Sequence, residues 1–317
     1  MGEPITRLNP QVESSVQRIL LVHATKLLIS IAMLFPEKEH AKRGQMPYDY
    51  RVILVLCILR IMFRKTYADY EIEMRTDMRI CAVFGLHILP GKSTLQREMQ
   101  QLHMKTILEM NRILLAEFMQ RKLNLLVDAS GIRIIGRSIW FSLRAKRFIS
   151  RRECDKVHLA VCSDVLLICN WRISAGKRHD SPYFRLLIAP FAMLGIILAD
   201  RGYSSRKNHQ LVADKKGALF APFKSNATAK PKSKPAWKVA FWIWEKFRTL
   251  YESIYHQRSK IESVFSALKK RYGDQLHCRT KGMRRKEMAM RFIAYNVRLF
   301  LCWKYAKECG LNLYVRA

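Results

Sequence analysis

Acidic residues are scarce in this sequence. Its 317 residues hold 25 Asp and Glu against 57 Lys and Arg, for a formal net charge of +32. Such an excess disfavours self-association without a polyanion and favours attraction to one. Nucleic acid is the expected partner, because Lys and Arg run along the whole chain rather than forming a tail. A membrane surface is the other partner that so basic a chain could meet. Long apolar runs are missing too. No stretch of 18 or more apolar residues is read, and no signal sequence with a cleavage site opens the chain, so no membrane span is expected. The eight cysteines form no C-x-x-C pair and no Cys…His zinc spacing. They read as reduced core residues of a cytoplasmic protein. No internal repeat is seen.

Half of the residues are hydrophobic, so a real core is expected. The length suits one large domain or two ordinary ones. Residues 1–120 read as helical. Ser14 to Leu34 and Arg51 to Phe63 carry helix-forming apolar patterns, and Tyr67 to Asp77 continues them as a charged amphipathic segment. After Pro90-Gly91, Ser93 with Gln96 three residues on reads as a capping box that starts a helix. Lys92, Gln96 and Arg97 near its start make a helix-turn-helix conceivable, with a plain bundle or dimerisation element as the alternative.

The pattern changes at Asn124. LNLLVDASGIRII reads as a buried strand that delivers Asp128 at its end, followed by a Ser-Gly turn. SIWFSLRAKRFISRREC then mixes Trp140, Phe141 and Phe148 with Arg144, Lys146, Arg147, Arg151 and Arg152. That combination suits phosphate neutralisation and base stacking, and a solvated basic loop explains it nearly as well. KVHLAVCSD and VLLICNWRIS read as paired strands, with Ser163-Asp164 as their turn. His179-Asp180 before Ser181-Pro182 reads as the start of a helix. MLGIILADRGYSS is a short strand followed by Asp200, a tight turn and a serine cap. SNATAKPKSKP is a Lys/Pro-rich loop, and AWKVAFWIWEKFRTLYESI a single aromatic helix.

That helix leads into Tyr255 to Lys269. At about 100° per residue, Tyr255, Arg258, Glu262 and Lys269 share one stripe roughly 60° wide. Ile254, Ile261, Val264, Phe265 and Leu268 fill the adjoining sector, a core-facing stripe. One carboxylate is thereby held among a phenol, a guanidinium and an ammonium beside a buried face. A solvated surface helix would scatter such charges or pair them four apart.

The spacing Y-x2-R-x3-E-x6-K, met without a gap by these four residues, resembles the signature of the insertion-sequence DDE transposases. ADRGYSS, around Asp200, resembles the ADxGYxS motif of the same group. The resemblance covers about residues 120–305. It implies an α/β fold with a ribonuclease-H-like mixed sheet flanked by helices, preceded by an all-α N-terminal domain. The domains would be 1–120 (DNA binding or dimerisation), 121–308 (catalytic) and a tail at 309–317. Between Asp200 and Glu262 only the Lys/Pro loop and one extra helix are expected. It implies that Asp128, Asp200 and Glu262 converge as catalytic metal ligands. Three carboxylates suit Mg²⁺ or Mn²⁺, and two ions would serve a phosphoryl transfer. Arg258 would clamp a flanking phosphate in two-pronged fashion, Lys269 would act as a point charge, and Tyr255 would donate or stack. The expected partners are the double-stranded DNA of element ends and target, and a second copy on DNA. Neither a membrane nor a small-molecule substrate is expected, and a prokaryotic, nucleoid-associated location follows. The competing readings are an inactive DNA-binding descendant and a stand-alone metal nuclease of the same fold.

Overall fold

The computed structural model describes residues 6–37, 48–76, 82–83, 89–134, 154–229 and 234–316. The chain divides into two compact units, one made of Met1–Leu114 with Cys278–Ala317, the other of Leu115–His277. It opens with a short strand β1 (Thr6–Leu8) and helices α1 (Pro10–Ala32), α2 (Tyr50–Met62), α3 (Tyr67–Thr76), α4 (Lys92–Gln101) and α5 (Met104–Leu114). The second unit holds α6 (Ala116–Met119), β2 (Leu123–Ile134), β3 (Cys154–Cys162), β4 (Ile168–Ala175), α7 (Ser181–Ile188), β5 (Leu194–Ala199), α8 (Arg206–Asp214), β6 (Ala218–Phe220), α9 (Pro235–Lys246), α10 (Arg248–His256), α11 (Lys260–Tyr272) and β7 (Gln275–Leu276). The chain then returns to the first unit with α12 (Lys281–Glu308) and β8 (Tyr314–Arg316).

In the helical unit, α1 buries Val12, Val16, Leu20, Ala24 and Leu28, one residue per turn, and packs on α2 and α12. By length and composition alone α1 could cross a membrane, although its sequence showed no unbroken apolar run. α2 is buried on nearly every side, as a core helix that is apolar apart from Arg51 and Arg60 near its ends should be. Some of the polar groups inside are matched. Asn296 donates to Asn111 at 2.7 Å, and Arg298 pairs with Glu13 at 3.0 Å. α12 therefore belongs with the N-terminal helices, whereas the sequence reading assigned it to the catalytic domain. The last residues also have a place, since β8 pairs antiparallel with β1.

The capping box expected at Ser93 does not form. α4 begins one residue earlier, and Glu71 of α3 accepts from the Lys92 N–H at 3.1 Å. A carboxylate from a neighbouring helix takes the place of the local serine, satisfying an otherwise open N–H at a helix start. That hydrogen bond and Arg75 hold Glu71 below its usual carboxylate range.

In the second unit the strands lie in the order β4-β3-β2-β5-β6, with β7 added beside the far half of β2. β2, β3 and β4 form an antiparallel meander, and β2-β5-β6 run parallel. Helices flank this mixed sheet, which is the ribonuclease-H-like architecture that the sequence implied. β2 does not stop at Asp128. Ser130 and Gly131, expected as a turn, are extended and pair with Val157 and Lys156. Gly273, at φ +83°, ends α11 and turns the chain into β7.

The aromatic segment forms two helices rather than one, parted at Phe247 (φ −123°, ψ 50°). The break lets side chains from both helices reach one buried ring. Phe223 lies 4.8 Å from Trp237, 5.3 Å from Phe241 and from Trp244, and 6.3 Å from Tyr251, centroid to centroid. Seven cysteines among the described residues are free thiols. Burial pushes the Cys57 thiol up to about 12, as expected of a core residue, whereas Cys309 is exposed.

Candidate active site

β2 and β5 are parallel neighbours whose last paired residues are Val127 and Ala199. The next residue on each is an aspartate. Asp128 and Asp200 thus stand side by side, on strands about 4.8 Å apart. Beyond Ala199 the chain enters a 3-10 turn, Arg201–Tyr203, while β2 continues against β3. Asp128 is therefore at mid-strand, at the point where the parallel pairing ends. Asp200 precedes the turn without capping it, and it is exposed.

The third carboxylate comes from α11. Ile261, Val264, Phe265 and Leu268 bury one face of this helix, as their spacing required. Glu262 lies in the first turn with its side chain 65% exposed. The last turn is fixed by Lys269, whose Nζ donates to Ser130 Oγ at 2.9 Å. Ser130 shares a strand face with Asp128, two residues away, so α11 runs along that face. The expected single helix from Tyr255 to Lys269 is interrupted. A 3-10 turn, Gln257–Ser259, separates α10 from α11, with Tyr255 before it and Arg258 within it.

Arg258 ties the site together. Its Nη1 donates to Asp128 Oδ2 at 2.8 Å, and Nη2 stands 3.5 Å from Glu262 Oε1. The guanidinium also lies 5.8 Å from the centre of the Tyr255 ring. Burial raises the Asp128 carboxyl above its usual range, the Ala129 N–H and Arg258 oppose that, and Asp200 and Glu262 push it further up. Burial works against the charge on Arg258, but Tyr255, Asp128, Asp200 and Glu262 outweigh it. Burial chiefly raises the Tyr255 phenol, with Arg258 opposing. Of the six residues that the sequence singled out for this site, Asp128, Asp200, Glu262, Tyr255 and Arg258 interact electrostatically, whereas Lys269 bonds Ser130, two residues along β2 from Asp128.

A buried polar relay that the sequence reading missed lies beneath the Asp200 turn. Tyr203, at the end of that turn, bonds His158 Nδ1 at 3.2 Å, and His158 Nε2 bonds Ser174 Oγ at 2.9 Å. The Tyr203 N–H donates to the Asp200 carbonyl at 2.9 Å. Tyr183 stacks on His158, and Asp180 pairs with Lys156 at 2.5 Å instead of capping α7. A histidine within the apolar stretch of β3 was the available signal. Lys92 and Arg97 are exposed on α4 in the other unit. Arg144, Lys146, Arg147, Arg151 and Arg152 lie outside the described residues, as does part of the expected helix-turn-helix.

All three candidate ligands are carboxylates, the hard oxygen donors that Mg²⁺ and Mn²⁺ select. Among the described residues no three acidic, His or Cys side chains are gathered closely enough to hold an ion as they stand. Arg258 occupies the space between Asp128 and Glu262 instead. The donor set fits a divalent cation, and the present counter-charge is a guanidinium.

A 4-3-2-5-6 mixed sheet in which an aspartate follows the last paired residue of each of two parallel central strands, with a glutamate on a neighbouring helix, has the arrangement of the DDE type. The chain belongs to the transposase DDE domain family, which matches residues 120–297. No curated protein matches it. A cryo-EM structure of the piggyBac transposase synaptic complex with hairpin DNA is similar at 11% identity, covering 94% of this chain and 77% of that chain with a TM-score of 0.40.

Proposed function

We propose that this transposase cuts DNA at the ends of an insertion sequence and joins those ends to target DNA. The observation that carries this reading is the pairing of Val127 with Ala199, which sets Asp128 beside Asp200 at the entrance to a site also reached by Glu262. In this reading Asp128, Asp200 and Glu262 hold divalent cations, Mg²⁺ or Mn²⁺. When bound, two such ions supply an activated water or 3′-hydroxyl and stabilise the leaving 3′-oxygen. The chain's own groups position the DNA. Arg258 grips a phosphate flanking the scissile one through two parallel N–H groups, Lys269 adds a point charge, and Tyr255 donates a hydrogen bond or stacks. The relay from Ser174 through His158 to Tyr203 holds the Asp200 turn against the sheet. The charge of +32 supports a duplex DNA partner, and cutting two ends in concert supports a homodimer on that DNA. Free buried thiols suit a reducing, cytoplasmic setting.

The test uses labelled duplexes carrying the DNA that flanks the reading frame. Glu262→Gln should abolish cleavage and joining and keep DNA binding. Binding lost together with activity would assign Glu262 a folding role instead. Joined target products from the unaltered protein would separate transposition from plain nuclease action.

A further inference from the structure

Asp128 is the most enclosed of the three carboxylates, and both of its oxygens are engaged. Oδ1 accepts from the Ala129 N–H at 2.8 Å, and Oδ2 accepts from Arg258 at 2.8 Å. A divalent cation would approach the same carboxylate to about 2.0–2.6 Å. Guanidinium and metal cannot share that position, because two cations so close in a half-buried site repel strongly. The guanidinium also reaches Glu262, so it spans two of the three candidate ligands. The backbone around it can give way. Arg258 sits in the 3-10 turn between α10 and α11, and such turns, with poorer hydrogen-bond geometry, often act as hinges within helices. A second resting place is at hand, since the Tyr255 ring already lies within cation–π range.

We propose that Arg258 competes with a divalent cation for Asp128, so that binding of the cation displaces its guanidinium from Asp128 and releases it to take a DNA phosphate. This rests on the reading of Asp128 and Glu262 as metal ligands. The site then arms its phosphate clamp only once the cation is in place.

The experiment is Mn²⁺ titration of the full chain by calorimetry without DNA, with thermal melts in the presence and absence of Mg²⁺. Arg258→Ala should bind Mn²⁺ about tenfold more tightly than the unaltered protein, because the competing charged hydrogen bond is gone. Arg258→Lys keeps the charge but loses the two-pronged bridge, and should also bind more tightly. A lysine variant indistinguishable from the unaltered protein would reduce the effect to simple repulsion and overturn the proposal. Without metal, Arg258→Ala should melt at a lower temperature, and saturating Mg²⁺ should remove most of that deficit. A deficit that persists in Mg²⁺ would make Arg258 a fixed strut. Equal Mn²⁺ affinity in the protein and Arg258→Ala, lost in Asp128→Asn, would discard the displacement but keep the metal site. No binding by any of them would discard the metal site as well.

Discussion

His158 is fully buried between Tyr203 and Ser174, and burial holds its pKa down at about 4. His209, packed on Phe223 and Trp237, is likewise pushed down to about 4. An unfolded histidine titrates near 6.5, so the folded unit favours both neutral imidazoles. The stability they contribute is complete above pH of about 6.5 and drains away as the pH falls toward about 4. Each can account for up to about 3 kcal/mol. Denaturant melts from pH 8 to 4 should show a flat upper range and a falling lower one, with a shallower fall in His209→Phe. A pH-independent midpoint from 6.5 to 4 would contradict the burial of these rings. At this scale the sequence was readable where periodicity fixed the spacing, as for Ile261, Val264, Phe265 and Leu268. Ser130 was hidden because Ser-Gly in isolation looks like a turn, yet β3 supplies partners that keep it extended. His158 was hidden because Tyr183 and Tyr203, which enclose it, come from distant parts of the chain.

Among the elements, the α9–α10 pair depends on Phe223, 2% exposed and ringed by aromatic side chains from both helices. Phe223→Ala should destabilise the second unit by about 3–5 kcal/mol through the lost transfer energy and the cavity left behind. Denaturant unfolding followed by tryptophan fluorescence measures it, and a loss under about 1 kcal/mol would mean that the cluster repacks freely. Helical periodicity announced nearly every helix here, but not where helices break. The interruptions at Phe247 and at Gln257–Ser259 answer to a shared ring and to Arg258 reaching Asp128, and neither demand is visible within one segment. The start of α4 is similar, since Glu71 reaches it from 21 residues away. The strand segments of the sheet were legible one by one, but their order in a ribonuclease-H-like sheet came only with the family resemblance.

For the whole molecule, charge dominates. A protein of +32 making about six phosphate contacts would lose roughly a thousandfold in DNA affinity between 50 and 200 mM salt. Filter binding across that range should show this steep slope on duplexes of any sequence. A shallow slope would mean that few of the 57 cations face DNA. The sequence did not announce that the helical unit is assembled from both ends of the chain, because α12 carries its own amphipathic pattern and names no neighbour. Its timetable follows from that assembly. On the ribosome, α1 to α5 emerge long before α12 is made, while residues 115–277 hold a continuous set of strands and helices. The nascent chain can thus finish its sheet-bearing half first, leaving the earlier-born helices waiting for the later-born one to close their core.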